Sequence, residues 1–435
     1  MSGGIYRNTV ASLTFGFVVL QHFELFAIGT YPVTLGLFVG LALIIMSSSR
    51  LNIGRLIVAV VLILVPNSIV QIASPSLRDG SAAFFETYGL FVLGAVVVSQ
   101  YSKRTVRVEA VDGVLKGAFG ALIVIVALSV IQVFTGSRGS VAWFNPWGSN
   151  QYLYEYNPHL EFNPIPRAAA FYLEPSYAAF VVGTLSLALI VGRRHSVSAW
   201  ALGAVGLLAV RSATGLLVFS LVAVVAVLMS RSKWRVPAVV AIVAGAVVAV
   251  PYLAGRLDST FTVGSSAYYR LIGPLSILRD TLNRFPLGHP FGSLRNTVAD
   301  YGILNGAAAG DSLDNGFYVV VFYFGWLGLI ACFALVAWAA KQVIHSMHSS
   351  GSTEGLLALW SVGTLIFSGG IMLPEYLIML WLIFAIRSPN AYLSEKVQHN
   401  GKASVNRHDY VPRSGRTRTD PRIARGLDAR SRTSR

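Results

Sequence analysis

Apolar runs, most of about 17–25 residues, follow one another along most of the chain, with short polar breaks between them. A run of that length can cross ~30 Å of hydrocarbon as a helix. The runs fall at about 9–28, 31–47, 56–73, 82–100, 114–134, 170–191, 198–211, 214–230, 236–254, 316–340, 355–371 and 374–388. An open sheet cannot satisfy its backbone in lipid, so this pattern predicts an all-α polytopic integral membrane protein with about 12 transmembrane helices. The pairs 198–211 with 214–230 and 355–371 with 374–388 are the shortest, and each can be read instead as a broken or re-entrant helix. The opening MSGGIYRNTVASLTFGF has no small-residue cleavage site after its apolar run, which predicts a retained first span rather than a removed signal peptide.

The polar breaks fix an expected sidedness. Arg50 and Arg55, then Lys103, Arg104, Arg107 and Lys116, then Arg193 and Arg194, then Arg231, Lys233 and Arg235, and finally Lys341 recur at alternate breaks. Cytoplasmic loops carry the excess of Lys and Arg, so the pattern predicts an even span count in an inner-membrane type of protein with both termini cytoplasmic. Two long loops, at about 135–169 and 255–315, then fall on the outer side. They are rich in Asn, Pro, Gly and aromatic residues, including Trp143, Trp147, Tyr152, Tyr154 and Tyr156. Such rings suit the apolar faces of sugars and equally suit an interfacial aromatic belt. No internal repeat supports an inverted-repeat transporter.

Composition agrees with this picture and divides the chain. Hydrophobic residues make up 54% and charged residues only 12%, too few charges to cover a soluble protein of this length. The net charge is +15, and Arg387 to Arg435 alone holds 12 Lys/Arg against 4 Asp/Glu, which is +8. The expected organisation is a transmembrane unit over 1–388 and a basic, disordered cytoplasmic tail over 389–435. That tail suits the anionic inner leaflet, and it has few aromatic residues for stacking on nucleic acid, so no nucleic-acid partner is expected. Cys332 is the only cysteine, which rules out an intramolecular disulfide and a thiolate metal cluster. No Walker A loop, metal-ligand spacing or GxSxG elbow occurs, so ATP-driven phosphoryl transfer and serine hydrolysis have no support.

Ionisable residues at the outer ends of spans are the candidate chemistry. RAAAFYLEPSYAAFV puts Arg167 and Glu174 at the lip of a span, with Pro175 directly after the glutamate. Proline fits the first helical turn, so the helix should start at Pro175 and run to about Val191, ~26 Å at 1.5 Å per residue. Glu174 then has two readings, a helix cap assisted by Ser176 or a functional carboxylate at the helix mouth. Arg211, with Ser212 and Thr214 beside it, sits at an outward turn where positive charge is disfavoured. It is either a snorkelling side chain or a fork for phosphate oxygens. The second long loop adds Arg270, Arg279, Arg284, His289 and Arg295, of which Arg279 with Asp280 reads as part of a surface helix. Asp311 and Asp314 stand just before the span at 316, and Asp314 is either its N-cap or a second carboxylate of the site. Together these residues suit an anionic, lipid-anchored substrate with a polar head.

The stretch RAAAFYLEPS, residues 167–176, resembles the R…EPS signature of Wzy-type polymerases of bacterial O-antigen and exopolysaccharide, within the O-antigen polymerase/ligase superfamily. RSATG at 211–215 is similar to that superfamily's segment between two central spans. FPLGHPFGSL resembles its P-L-G-x-G loop, with His289 at the variable position and Pro290 in place of the second glycine. FSGGIMLPEYLIMLWLIF is also similar to exopolysaccharide polymerases. Ligases resemble H-[N/S/Q]-x-x-L-x6-G before a late span; the matching positions here are Asp314, Asn315, Tyr318 and Gly325. Aspartate replaces the histidine, which favours polymerase over ligase. The resemblance implies transfer of a growing glycan from undecaprenyl pyrophosphate to the next lipid-linked repeat unit at the periplasmic face. No cofactor or metal is implied, and a flippase and a chain-length regulator of the same pathway are implied as partners. Arg211 and Arg270 would bind pyrophosphate, Arg167 and His289 would assist in binding, and Glu174 or Asp314 would be the general base. Ligase-type transfer and non-catalytic transport of the lipid-linked oligosaccharide are the alternatives.

Overall fold

Helices account for almost every apolar run. A computed structural model describes residues 3–28, 31–49, 52–73, 81–101, 106–137, 167–172, 174–230, 266–301, 313, 315–349, 353–366, 371 and 373–386. In chain order these form α1 (Gly3–Leu20), β1 (Glu24–Ile28), β2 (Tyr31–Thr34), α2 (Leu35–Ser47), α3 (Ile53–Ala73), α4 (Ser81–Ser99) and α5 (Val108–Ser137). They continue with α6 (Pro175–Val191), α7 (Ser196–Val210), α8 (Ala213–Met229), α9 (Ser266–Leu271), α10 (Leu275–Arg284) and α11 (Leu294–Asp300). The last three are α12 (Gly316–His348), α13 (Glu354–Ile366) and α14 (Pro374–Ile386). Among them α3, Val108–Gly136 of α5 and α12 are long and apolar enough to cross a membrane, and seven more are shorter apolar helices. The expected span at 236–254, most of the loop at 135–169, parts of the loop at 255–315 and the tail lie outside the described residues.

The first two apolar runs differ from expectation at their junction. α1 stops at Leu20, and the chain turns into an antiparallel hairpin in which Phe26 faces Val33, Ala27 faces Pro32 and Ile28 faces Tyr31. Pro32 lacks the N–H a helix needs, and the aromatic and β-branched residues around it favour an extended chain. Thr34 then starts α2, its Oγ1 accepting the Leu37 N–H at 3.0 Å. Among the described residues the regular structure is therefore helical except for this short ribbon. The short pair 198–211 and 214–230 proves to be two helices, α7 and α8, meeting at Arg211.

α6 and α14 sit at the centre. All but two residues of α6, and all but Phe384 of α14, are buried. Neither helix has a polar face, as suits a helix surrounded on all sides by apolar neighbours. The pair touch where Phe180 stacks on Tyr376, with centroids 4.3 Å apart. Trp360 of α13 closes on α6 from another side, its indole N–H donating to Thr184 Oγ1 at 2.9 Å. α1, α2, α5 and α7 complete this core. By contrast α3 leaves Ile57, Val58, Val61, Leu62 and Ile69 exposed, the outward apolar surface expected of a lipid-facing helix. At one end of the bundle Asp112 of α5 pairs with Arg7 of α1 and with Arg194 after α6. The candidate site is built at the opposite ends of α5, α6 and α7.

Candidate functional site

The segment before α6 is held by a glutamine that imitates backbone. Gln132 Oε1 of α5 accepts the N–H of Ala169 at 3.2 Å and of Ala170 at 2.9 Å, and Gln132 Nε2 donates to the Ala170 carbonyl at 3.1 Å. These bonds secure Ala170 at φ 52°, a conformation a non-glycine residue adopts only under constraint. The Ala168 N–H donates to the Ala209 carbonyl at 3.3 Å, which lays Arg167 alongside the end of α7 two residues before Arg211. The two arginine-bearing stretches therefore lie side by side.

Pro175 opens α6 as expected, and Glu174 occupies the N-cap position, but its side chain caps nothing. The carboxylate instead accepts the Ser176 hydroxyl and the Arg270 guanidinium, the latter at 3.3 Å from Nη2 to Oε1. Of the two readings of Glu174, the side-chain cap is therefore corrected: two side-chain donors engage the carboxylate, and the Tyr177 and Ala178 N–H groups donate to the Glu174 backbone carbonyl. Arg270 is nine-tenths buried while the Glu174 side chain is 47% exposed. A buried guanidinium with a half-open anionic partner is a charge that a second anion can share.

A small cavity of about 40 Å³ opens beside this pair, lined by Glu174, Ser176, Tyr177, Phe180, Thr214, Gly215, Val218, Trp360 and Thr364. The hydroxyls of Ser176, Thr214 and Thr364 and the Glu174 carboxylate line it together with aromatic rings, in space for a few water-sized groups and not for a sugar ring. Thr214 and Gly215 come from RSATG, so this motif and the R…EPS stretch share one cavity. Arg211 ends α7 in a left-handed turn at φ 54°, and Ser212 caps α8 by accepting the Gly215 N–H at 3.3 Å. Arg211 is half-buried at that turn, as is Arg167.

Arg270 is carried by a lobe of α9, α10 and α11 built onto a break in α12. Gly325 has φ 54° and ψ −130° inside that helix. An unbroken helix would bond the Trp326 N–H to the Phe322 carbonyl, four residues back. Here the Trp326 N–H donates to Pro286 O at 3.0 Å, and Phe322 O accepts the His289 N–H at 2.8 Å. The PLGH stretch is thus inserted between the two halves of α12 and satisfies both orphaned groups. Asn67 grips the loop from α3, donating to His289 O at 3.0 Å and accepting the Phe291 N–H at 3.2 Å.

His289 is brought to this junction and not to the Glu174–Arg270 pair. Its ring stacks on Phe322 at 4.2 Å and lies 3.1 Å from Thr281 Oγ1. Burial lowers its pKa to about 4. Unfolding would return it to about 6.5, so its contribution is complete above pH 6.5 and is lost as pH falls toward 4, by about 3 kcal/mol. The thermal midpoint should therefore fall between pH 7 and pH 4.5, and His289→Leu should flatten that fall. Parallel pH curves for the two proteins would refute the assignment.

Asp314 and Asp311 lie outside the described residues. The cap of α12 is Asn315, not Asp314: its Oδ1 accepts the N–H groups of Phe317 and Tyr318 at 3.0 and 3.4 Å. Arg279, Arg284 and Arg295 are exposed on the lobe, and α10 is the surface helix expected around Arg279 and Asp280. Sequence reasoning gave no role to Gln132, Asn67 or Glu375. Glu375 is buried at the start of α14, accepting Thr34 Oγ1 at 2.6 Å and the Tyr31 hydroxyl at 3.2 Å. Its one local signal was a carboxylate beside a proline at a helix start, the counterpart of Glu174–Pro175.

Comparison with known proteins adds an independent line. One stretch of 143 residues is 35% identical to a protein of Escherichia coli (strain K12) provisionally named as a colanic acid polymerase. That alignment spans 33% of this chain and 35% of the E. coli protein, about a third of the curated relative's length. A family profile reaches much further, covering residues 9–388 and with them the hairpin, the R…EPS segment, RSATG, the broken helix and α14. With nearly every described element inside that match, the chain belongs to the WcaD colanic acid polymerase family.

Proposed function

We propose that this protein polymerises undecaprenyl-pyrophosphate-linked oligosaccharide repeat units into an exopolysaccharide at the periplasmic face of the bacterial inner membrane. Family membership supports the reaction class. The observation that carries the site is the ion pair between half-exposed Glu174 and buried Arg270, at the mouth of α6 and beside the hydroxyls of Ser176 and Thr214. In the reaction, an acceptor sugar hydroxyl forms a bond to the anomeric carbon of the donor glycan, and the bond from that carbon to pyrophosphate breaks. The electron pair leaves with undecaprenyl pyrophosphate, and Glu174 takes the hydroxyl proton. Arg270 and Arg211 stabilise the charge on the departing pyrophosphate, with Arg167 on the adjoining strand assisting. Asp314, next to Asn315 in the sequence, is the alternative base, while His289 supports the lobe that presents Arg270. The chemistry needs no cofactor, because lipid pyrophosphate is already a good leaving group.

Sidedness follows from charge. Arg7, Arg107, Lys116 and Arg194 gather at the end of the bundle opposite Glu174, and by the positive-inside rule this supports a reading with that end on the cytoplasmic side and both termini with it. Twelve spans and a basic tail on the inner leaflet complete this reading, with a flippase and a chain-length regulator as pathway partners. The test is purified protein in lipid vesicles with lipid-linked repeat units alone, then with a second acceptor. A ladder of products is expected. Transfer only to the second acceptor would make it a ligase, and unchanged units would make it a transporter.

A further inference from the structure

We propose that Asn315 and Tyr318 are positioning residues for the transfer, setting where the Arg270 guanidinium stands against Glu174; this rests on the reading that Arg270 acts in the reaction. α9 is only six residues long, so the carbonyls of its last turn have no helical partners of their own. Tyr268 O accepts from Ile272 and Gly273 N–H at 2.9 Å each. The next two described bonds come from another helix: Asn315 Nδ2 donates to Arg270 O at 3.2 Å, and the Tyr318 hydroxyl donates to Leu271 O at 2.8 Å. Residues three apart share one face of a helix, so the first turn of α12 presents both donors together.

Asn315 joins the two elements because it has both chemistries. Its oxygen caps α12 by accepting two N–H groups, and its amide nitrogen is left to hold Arg270 O. At 2% exposure it has little room to turn. Aspartate could cap as well but could not donate. α12 is itself anchored by the loop inserted at Gly325, so the hold on Arg270 continues into the bundle. A group that stabilises charge in a transition state must be placed to within a fraction of an ångström, and a displacement of about 1 Å can cost roughly 100-fold in rate.

The experiment measures kcat and KM separately for chain extension by the full-length protein in vesicles, with the thermal midpoint as a check on folding. Tyr318→Phe removes one hydroxyl and keeps the ring; Asn315→Asp keeps the cap and removes the donor. Each is expected to lower kcat about tenfold or more, with KM changed less than about threefold. In an Arg270→Lys background, where the fork is already displaced, Tyr318→Phe should cost less than about twofold further. Equal losses in both backgrounds, or a fall in folded protein with kcat per folded molecule unchanged, would show a merely structural contact and overturn the proposal. So would wild-type kcat in Tyr318→Phe alongside an inactive Arg270→Ala. Full activity of Arg270→Ala would instead remove the reading on which the proposal stands.

Discussion

Glu174→Gln is expected to lower chain extension by roughly 10²–10⁴-fold, the usual range for a lost general base, with near-normal amounts of protein in the membrane. Glutamine matches glutamate in size, so Pro175 can still open α6. Its amide oxygen can still accept the Ser176 hydroxyl now bonded to the carboxylate. What disappears is the negative charge that takes the proton and faces Arg270 at 3.3 Å. The N-cap geometry should be indifferent, because the Glu174 side chain makes no bond to the helix N–H groups. Glu174→Asp keeps the charge on a shorter arm and should retain more activity than the amide. Product length on a gel and protein level by immunoblot are the measurements. Wild-type polymer from Glu174→Gln, at wild-type protein level, would remove Glu174 as the base.

The parts of this site that could be read in the sequence are those whose physics is local. Pro175 marks the first turn of α6 because its missing N–H costs nothing there, and the helix ends at Val191 as the apolar run does. RSATG reads as a turn between two apolar runs, and the chain does break there, with Ser212 capping α8. The residues that hold the site together were invisible for the opposite reason. Gln132 and Asn67 are single amides inside apolar runs, and nothing nearby in sequence says that one grips residues 169–170 and the other residues 289–291. The sequence pointed to Asp314 as the cap of α12, but Asp and Asn cap alike by residue type. The role falls to Asn315, whose amide also donates to Arg270 O of α9. The hairpin at 24–34 was hidden by hydropathy, since a short apolar ribbon and the end of a span look alike.

The largest structural effect should come from Gly325→Ala, which is expected to destabilise the fold by roughly 3–5 kcal/mol and to abolish polymer through loss of folded protein. Alanine disfavours φ 54° with ψ −130°, and a Cβ there would stand 2.2 Å from Pro286 O and 2.6 Å from Gly288 N. The chain has two ways to respond, and both are costly. If the break stays open, the clash pushes the inserted loop away. If α12 closes into a continuous helix, the Phe322 carbonyl and Trp326 N–H pair with each other, and the His289 N–H and Pro286 carbonyl lose their partners. Each buried backbone group left unsatisfied costs about 1–3 kcal/mol, and the loop carrying Gly288 cannot retreat because Asn67 holds it from α3. Gly89→Ala supplies the comparison, because it adds the same methyl in α4 where nothing lies within 4 Å. That variant should be neutral or up to about 1 kcal/mol more stable, as expected for alanine over glycine in a helix. Thermal unfolding in detergent reads both. A wild-type midpoint for Gly325→Ala would mean that the inserted loop does not hold α12 open, and the account of how the lobe presents Arg270 would fail with it.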